Sequence, residues 1–186
     1  GRRIDSALAV IRKYGIPKPD VLVTGLGSRI HYGQSLIEDD FWNDHIDHEW
    51  TRDRITRVLG RLPGLKLQPR REQGAFKISW YYDPEEAPSV EQIITLLREK
   101  DITANVTTSF GQFLDVTPSR VSKGQALRYV AHRLDIPLEQ ILVAGGSGAD
   151  EDMMRGNMLG VVVANRHNEE LAQLEDIERI YFAEQS

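Results

Sequence analysis

Apolar and polar residues alternate along this chain with two periods, and these periods predict its secondary structure. Apolar positions three and four residues apart, as at Ile4, Ala7, Leu8 and Ile11, predict amphipathic helices. Short apolar runs and strict alternation predict strands. We therefore predict helices over 3–14, 90–100 and 123–134, and one long helix within 41–62. The predicted strands cover 21–23, 29–32 (as a hairpin arm), 65–67, 75–82, 102–108, 112–116, 140–143, 160–164 and 179–182.

The order of these elements predicts an α/β protein built from two parts. Strands alternate with helices at both ends of the chain, which is typical of a parallel sheet with right-handed crossovers. The middle of the chain has strands with alternating faces and favours a smaller α+β module inserted into the larger sheet. We predict a core formed by 1–40 together with 119–186, and an inserted domain over 41–118.

Composition excludes several classes of function. The formal net charge is −5 and no Lys/Arg block interleaves with aromatic residues, which argues against nucleic acid as a partner. The chain has no cysteine, so it has neither disulfides nor thiolate metal sites. No apolar run approaches the roughly 18 residues of a membrane span, and no signal peptide is recognisable. We expect a cytoplasmic protein. Because the chain opens with Gly1-Arg2-Arg3, we expect a fragment trimmed at its start.

A glycine-rich loop, 145–149, follows the strand predicted at 140–143. Open α/β sheets bind ligands at the carboxyl ends of their strands. The acidic residues that follow this loop suggest Mg²⁺, which prefers oxygen ligands. The residues alone leave three roles open for Asp150: a helix N-cap, a ligand of a metal or its water, and an ion pair with Lys123.

Lys123 lies at the start of the predicted helix 123–134. A helix N-terminus attracts anions, and a lysine there can meet a phosphate as a point charge. The alternative is a solvated surface lysine, which its position alone favours.

The glycine-rich loop resembles the Gly-Asp-Ser-Gly-Asn-Asp motif of the sucrose-phosphatase family, a branch of the haloacid dehalogenase (HAD) superfamily. That family's metal-binding Asp is Gly146 here and its Asn is Ala149, so Asp150 remains as a degenerate metal ligand. The stretch Ser122-Lys123-Gly124 resembles the motif whose lysine holds the phosphate, and Gly1-Arg2 resembles the end of the Thr-Gly-Arg phosphate motif. The resemblance therefore implies that Lys123 and Arg2 bind phosphate.

Two further segments resemble the sugar-binding parts of the same family. The stretch Lys77-Ile78-Ser79 is similar to a cap strand whose lysine faces the sugar, which implies sugar binding by Lys77 and Ser79. The aromatic residues 80–82 that follow either stack on a sugar or belong to the cap core and sheet surface. Residues 24–30 resemble Thr-Ser-Val-Gly-Ser-Glu-Ile, with Arg29 at the position of the glutamate. Arg29 could bind a phosphate or the sugar, or it could form a surface ion pair.

The resemblance covers nearly the whole chain and implies a HAD-like Rossmannoid core of parallel strands with an inserted α+β cap. The family's nucleophile motif, Asp-x-Asp, has no counterpart in these 186 residues. We therefore expect that the N-terminal strand carrying this motif is missing from the chain, and that the chain contains no catalytic residue.

Two functions are compatible with this resemblance. The first is a non-catalytic, phosphatase-like domain of a sucrose-phosphate synthase, which residues 111–115 and 179–182 favour by their likeness to the bacterial synthases. Its role would be structural, regulatory or sugar-phosphate binding, with no cofactor. Its partners would be sucrose 6-phosphate, the glycosyltransferase domain of the parent protein and a separate sucrose phosphatase. The alternative is an active Mg²⁺-dependent sucrose-6-phosphate phosphatase that forms an aspartyl-phosphate. The replacement of the family's metal-binding Asp by Gly146 favours the non-catalytic domain.

Overall fold

The structure is a computed structural model that describes residues 1–166, 171, 174 and 177–184. The chain divides into two compact units, unit 1 with residues 1–121 and unit 2 with residues 122–186. Within the described residues, no helix is both long and apolar enough to cross a membrane. The predicted assembly of 1–40 with 119–186 into one core is not tested by this division and stays a prediction.

Unit 1 begins with helix α1 (Ile4–Lys13), followed by a small antiparallel sheet. Its strands are β1 (Val21–Thr24), β2 (Arg29–Tyr32) and β3 (Ile37–Glu38), in the order β1-β2-β3. The predicted hairpin arm at 29–32 is confirmed, because β2 pairs antiparallel with β1. A buried turn joins the two strands, and in it Leu26 adopts a left-handed conformation with φ of 64°. Such a conformation is uncommon for a residue with a side chain.

The rest of unit 1 is a four-stranded antiparallel sheet with helices on one face, as predicted for the middle of the chain. Its strands are β4 (Leu65–Leu67), β5 (Ile78–Tyr82), β6 (Ala104–Ser109) and β7 (Phe113–Pro118), in the order β4-β5-β7-β6. The helices are α3 (Arg52–Leu59) and α4 (Val90–Glu99). Ser89 caps α4, since its hydroxyl accepts from the Gln92 N–H and its own N–H donates to Gln92 Oε1.

Alternation along the strands separates the two faces of this sheet. Ile78 and Trp80 of β5 are buried against α3 and α4, together with Leu114 and Val116 of β7. The residues between them, Ser79, Tyr81, Phe113 and Asp115, share the opposite face, where Ser79 pairs with Asp115 and Tyr81 with Phe113. Ser79 and Asp115 therefore lie on the face of the sheet that α3 and α4 do not cover.

Unit 2 contains the parallel sheet that the sequence predicts. Its elements are α5 (Lys123–Arg133), β8 (Leu142–Gly145), α6 (Glu151–Met154), β9 (Leu159–Val162) and β10 (Ile180–Phe182). The strand order is β10-β9-β8 with both pairs parallel, and Val143, Met154, Met158, Val162 and Ile180 belong to its core. The carboxyl end of β8 leads directly into the glycine-rich loop.

The prediction of one long helix within 41–62 is wrong. The structure has two helices, α2 (Asp40–Ile46) and α3, separated by residues 47–51. Glu49 in this segment has φ of 59°, which an α-helix cannot contain. The apolar pattern runs across the break because Trp42 and Ile46 are buried before it and Ile55 after it.

Candidate functional site

The loop after β8 is organised by the carboxylate of Asp150. Its Oδ2 atom accepts hydrogen bonds from the N–H of Gly146 at 3.1 Å, from the N–H of Ser147 at 3.0 Å and from the Ser147 hydroxyl at 2.9 Å. These hydrogen bonds from Gly146 and Ser147 to Asp150 fix the conformation of the loop. Asp150 does not cap α6, because its side chain makes no cap hydrogen bond there.

The other oxygen of Asp150 is bound by Lys123. Lys123 is the first residue of α5, and its ammonium lies 2.5 Å from Asp150 Oδ1. Burial alone would raise the pKa of Asp150, but the hydrogen bond and charge of Lys123, with the contacts from Gly146 and Ser147, lower this pKa below its ordinary value. Of the three roles considered for Asp150, the structure shows the ion pair. Its role as a degenerate metal ligand stays a prediction.

Asp152 occupies the N-terminus of α5, where the sequence suggested that a phosphate could bind. Its Oδ2 accepts from the Gly124 N–H at 3.0 Å and from the Ser122 hydroxyl, and its Oδ1 lies 3.4 Å from Arg128 Nη1. A β-carbon on Gly124 would lie 2.4 Å from Asp152 Oδ2, so only glycine permits this approach. The carboxylate therefore satisfies the helix N-terminus from within the chain.

Gly146 stands where the related family has its metal-binding aspartate, and this position is packed. A β-carbon there would lie 2.7 Å from Val163 Cγ2 and 3.3 Å from Arg166 Cα. An aspartate at 146 therefore does not enter an open space. Val163 would have to move before the new carboxylate could reach a ligating position.

The described residues do not fit a Mg²⁺ ion. Among residues 1–166, 171, 174 and 177–184, no cluster of three or more His, Asp or Glu side chains could hold a metal. Mg²⁺ requires near-octahedral oxygen ligands, commonly with one or two carboxylates. Asp150 has both carboxylate oxygens engaged by N–H and O–H donors, one of them the Lys123 ammonium. The Asp152 carboxylate is likewise engaged, by Ser122, Gly124 and Arg128.

Two of the three predicted sugar-binding residues, Lys77 and Ser79, belong to a buried polar cluster of unit 1. Lys77 and Ser79 come together with Asp115, and the three residues are 6%, 1% and 7% exposed. The Lys77 ammonium lies 3.2 Å from Asp115 Oδ1 and also contacts the Ser79 hydroxyl, which is 2.5 Å from the same oxygen. Asp115 thus neutralises Lys77. Sequence reasoning missed Asp115, because the alternation of β7 indicates only its face of the sheet and its pairing with Ser79 depends on the register of β5 and β7.

The loop that precedes β5 is fixed to this cluster. Arg52 Nη1 donates to the carbonyl oxygens of Gly74 at 2.6 Å and Lys77 at 2.9 Å. The Gln73 side chain accepts from the Ser79 N–H at 3.0 Å and donates to the Ser79 carbonyl at 2.9 Å. Burial lowers the pKa of Arg52, and the charge of Asp53 opposes this shift. Hydrogen bonds from Arg52 and Gln73 therefore fix the backbone of Lys77 and Ser79.

Arg29 and Arg2, the remaining predicted site residues, hydrogen-bond to residues outside these two clusters. Arg29 Nη1 lies 2.5 Å from Glu38 Oε1, and Asn43 donates to the same oxygen at 2.9 Å, so Arg29 forms the surface ion pair of the two alternatives. Arg2 accepts the Gly25 N–H through its carbonyl at 2.9 Å, and its guanidinium has no hydrogen bond or ion pair with the described residues. Sugar binding by Arg29 and phosphate binding by Arg2 stay predictions.

Comparisons with known proteins agree on one family. The family model for sucrose-6F-phosphate phosphohydrolase matches residues 1–186. The X-ray structure of the sucrose-phosphatase from Synechocystis sp. PCC6803, in complex with sucrose and phosphate, matches with a TM-score of 0.92 at 32% identity, covering 100% of this chain and 76% of that chain. Probable sucrose-phosphatase 3a from Arabidopsis thaliana is 32% identical over 183 residues, which is 95% of this chain and 43% of that protein.

A more distant solved structure shows the fold alone. The haloacid dehalogenase-like hydrolase yhjK from Bacillus subtilis matches with a TM-score of 0.61 at 16% identity, covering 100% of this chain and 71% of that chain. The chain thus has the HAD-like α/β fold that its sequence predicted, and it spans less than half the length of the Arabidopsis relative. With a family model that matches all of its residues, the chain belongs to the sucrose-6F-phosphate phosphohydrolase family.

Proposed function

We propose that this chain is a domain that recognises a phosphorylated sugar and does not hydrolyse it. The observation that carries this proposal is the state of the loop after β8. Asp150 is fully engaged by Lys123, Gly146 and Ser147, and the position of the family's metal-binding acid is a glycine packed against Val163. Phosphoryl transfer assisted by a metal needs ligands that these residues do not supply.

Binding requires less than catalysis, and the residues for it are present. The Lys123 ammonium has three donors, of which Asp150 Oδ1 takes one, and the side chain is 26% exposed. The remaining donors can bind phosphate oxygens. In unit 1, the cluster of Lys77, Ser79 and Asp115 combines donors and an acceptor, which is what sugar hydroxyls require. We propose sucrose 6-phosphate or a related sugar phosphate as the ligand.

The parent protein in this proposal is a sucrose-phosphate synthase. The domain then serves its glycosyltransferase part by stabilising or regulating it, and a separate sucrose phosphatase is a further docking partner. The sequence features behind this are residues 111–115 and 179–182. Cytoplasmic location is part of the same proposal.

A second candidate is an active Mg²⁺-dependent sucrose-6-phosphate phosphatase. The relatives reported above favour it more than they favour a synthase domain, because their names describe sucrose-phosphatases. The two candidates differ in the fate of the substrate. The first predicts binding without release of phosphate, and the second predicts turnover at roughly 1–10³ per second with Mg²⁺.

Calorimetric titration with sucrose 6-phosphate in the presence of a chelator tests the proposal. We expect metal-independent binding with a dissociation constant of about 1 mM, or about −4 kcal/mol. Lys123→Ala and Lys77→Ala should each weaken binding about tenfold or more, because each removes a hydrogen bond to a charged group. Lys100→Ala, an exposed lysine at the end of α4, is the matched control. Binding that is absent, or equal in all four proteins, would contradict the proposed recognition.

A further inference from the structure

A groove of about 510 Å³ lies at the end of the four-stranded sheet of unit 1. It forms where β4 begins, β5 ends and the turn before β7 approaches them, and its lining includes Lys66, Tyr81, Asp83, Glu86 and Gln112. This volume is within the range of small-ligand sites, roughly 300–1,000 Å³. The groove is at the opposite end of β5 from Lys77, and the proposed phosphate recognition does not use it.

Tyr81 gives the groove an aromatic wall. Its side chain points away from the core and is 44% exposed, whereas its neighbour Trp80 is 2% exposed in the core. The register places Phe113 directly opposite Tyr81, and the two ring centroids are 6.2 Å apart with an interplanar angle of 46°. This contact braces the tyrosine ring in place. A fixed ring with an exposed face suits the apolar C–H face of a sugar, while its hydroxyl stays available to water or ligand.

The rim of the groove provides both donors and acceptors. Within the described part of the chain, the Lys66 ammonium, the Gln112 side-chain amide and the Glu86 carboxylate make no hydrogen bond or ion pair. Asp83 Oδ1 accepts from the Glu85 N–H at 3.0 Å, which leaves Asp83 Oδ2 as an acceptor for a ligand hydroxyl. Hydroxyl groups of a saccharide both donate and accept, so they can satisfy all four side chains.

The charge of the rim selects against a phosphorylated ligand. Asp83 and Glu86 contribute −2 and Lys66 contributes +1, which leaves −1 at the rim. A sugar phosphate carries negative charge and is repelled by this arrangement, whereas a neutral sugar is not. The groove therefore differs in selectivity from the Lys123 and Lys77 sites.

The walls of the groove are held by backbone hydrogen bonds, so the site exists before a ligand arrives. The Tyr82 N–H donates to the Gln112 carbonyl at 2.9 Å, and the Asp83 N–H donates to the Gly64 carbonyl at 2.9 Å. Gly64 has φ of 67°, and a β-carbon there would lie 2.4 Å from the Ala87 nitrogen. Position 64 therefore requires glycine. A preformed wall reduces the ordering cost of binding.

From these observations we propose that the groove is a binding site for a neutral disaccharide, with Tyr81 as its stacking platform. It is a second carbohydrate site on the domain, separate from the proposed sugar-phosphate residues. The proposed ligand is a neutral saccharide of about two rings, and sucrose is the probe.

The test is an NMR titration of the full chain with sucrose up to about 50 mM, which detects millimolar dissociation constants. We expect amide shifts at residues 66, 81 and 112. Tyr81→Ala should lower affinity about tenfold, and Tyr81→Phe should retain it because the ring remains. Tyr181→Ala, an exposed tyrosine on strand β10 of unit 2, is the matched control and should bind like the wild type.

Two outcomes overturn the groove proposal: no sucrose-induced shifts around Tyr81, or shifts there that Tyr81→Ala leaves at the same affinity. Should Tyr81→Ala fail to fold, Gln112→Ala on the exposed rim replaces it, with the same expected direction. Lys123→Ala separates this proposal from the proposed function. It should weaken sucrose 6-phosphate binding and leave sucrose binding in the groove unchanged, so either proposal can fail alone.

Discussion

Replacing Asp150 with asparagine removes the charge on which the loop after β8 depends. An asparagine has one acceptor oxygen, so its NH₂ group must face either Lys123 or the N–H groups of Gly146 and Ser147. In both orientations a donor meets a donor. The lost hydrogen bond to a charged group is worth about 1.5–3 kcal/mol, and an unsatisfied group costs about 1–3 kcal/mol when it is buried. Since partial water access reduces the second cost, we expect a loss of about 2–4 kcal/mol in the free energy of unfolding of unit 2.

The pH dependence provides a separate check on this mechanism. The pKa of Asp150 is lowered in the folded protein, so the folded state binds fewer protons than the unfolded state in this range. The contribution of Asp150 is therefore complete above the unfolded pKa of about 3.9 and is lost as the pH falls through the folded pKa. The difference between wild type and Asp150→Asn should be constant near neutral pH and should shrink below about pH 4.

The assay must observe unit 2, because Trp42, Trp50 and Trp80 all lie in unit 1. Urea unfolding followed through the NMR amide signals of β9 meets this requirement. Glu139→Gln, at an exposed position of unit 2, is the control and should change stability by less than about 0.5 kcal/mol. A change of that small size for Asp150→Asn at pH 7, or a large loss that persists at the same value down to pH 3, would refute the reasoning.

Two further substitutions test the other polar clusters. Gly124→Ala should destabilise unit 2 by about 2 kcal/mol or more, because its methyl group must displace the Asp152 carboxylate from the start of α5; an unchanged urea midpoint in the same NMR assay would mean that this contact is dispensable. Asp115→Ala should cost about 3–5 kcal/mol in unit 1, because it leaves the buried Lys77 ammonium without its counter-charge. Tryptophan emission during urea unfolding measures this, and Asp115→Ala with Lys77→Met should recover part of the loss.

Local patterns predicted most of the elements. The two-residue strand β3 was not predicted, and the break in one predicted helix has a local cause. Helices α4 and α5 follow from apolar spacing, since each buries the face that its pattern indicates. The same spacing predicted α1, whose apolar side chains are at most partly buried. The break between α2 and α3 could not be predicted in this way. It depends on the left-handed backbone at Glu49, and buried apolar residues lie on both sides of it.

The candidate site was predicted in part, and what was missed depends on how the elements pair. The lost acid at Gly146 came from the motif and its resemblance, and the ion pair of Lys123 with Asp150, 27 residues apart, was one of three roles that the residues left open. The roles of Asp152 and Asp115 depend on contacts 28 residues away at Gly124 and 36 residues away at Ser79. Such contacts require the register of the elements, and a single sequence provides no measure of that register.

The central claim is recognition of a phosphorylated sugar without hydrolysis, and one ³¹P NMR experiment observes both parts. Sucrose 6-phosphate is mixed with the intact protein in the presence of Mg²⁺, and its phosphorus signal is followed over time. We predict that the ester signal broadens or shifts with protein concentration while no inorganic phosphate signal grows. Growth of inorganic phosphate at rates typical of enzymes, roughly 1–10³ per second, would contradict the claim and establish the active phosphatase instead.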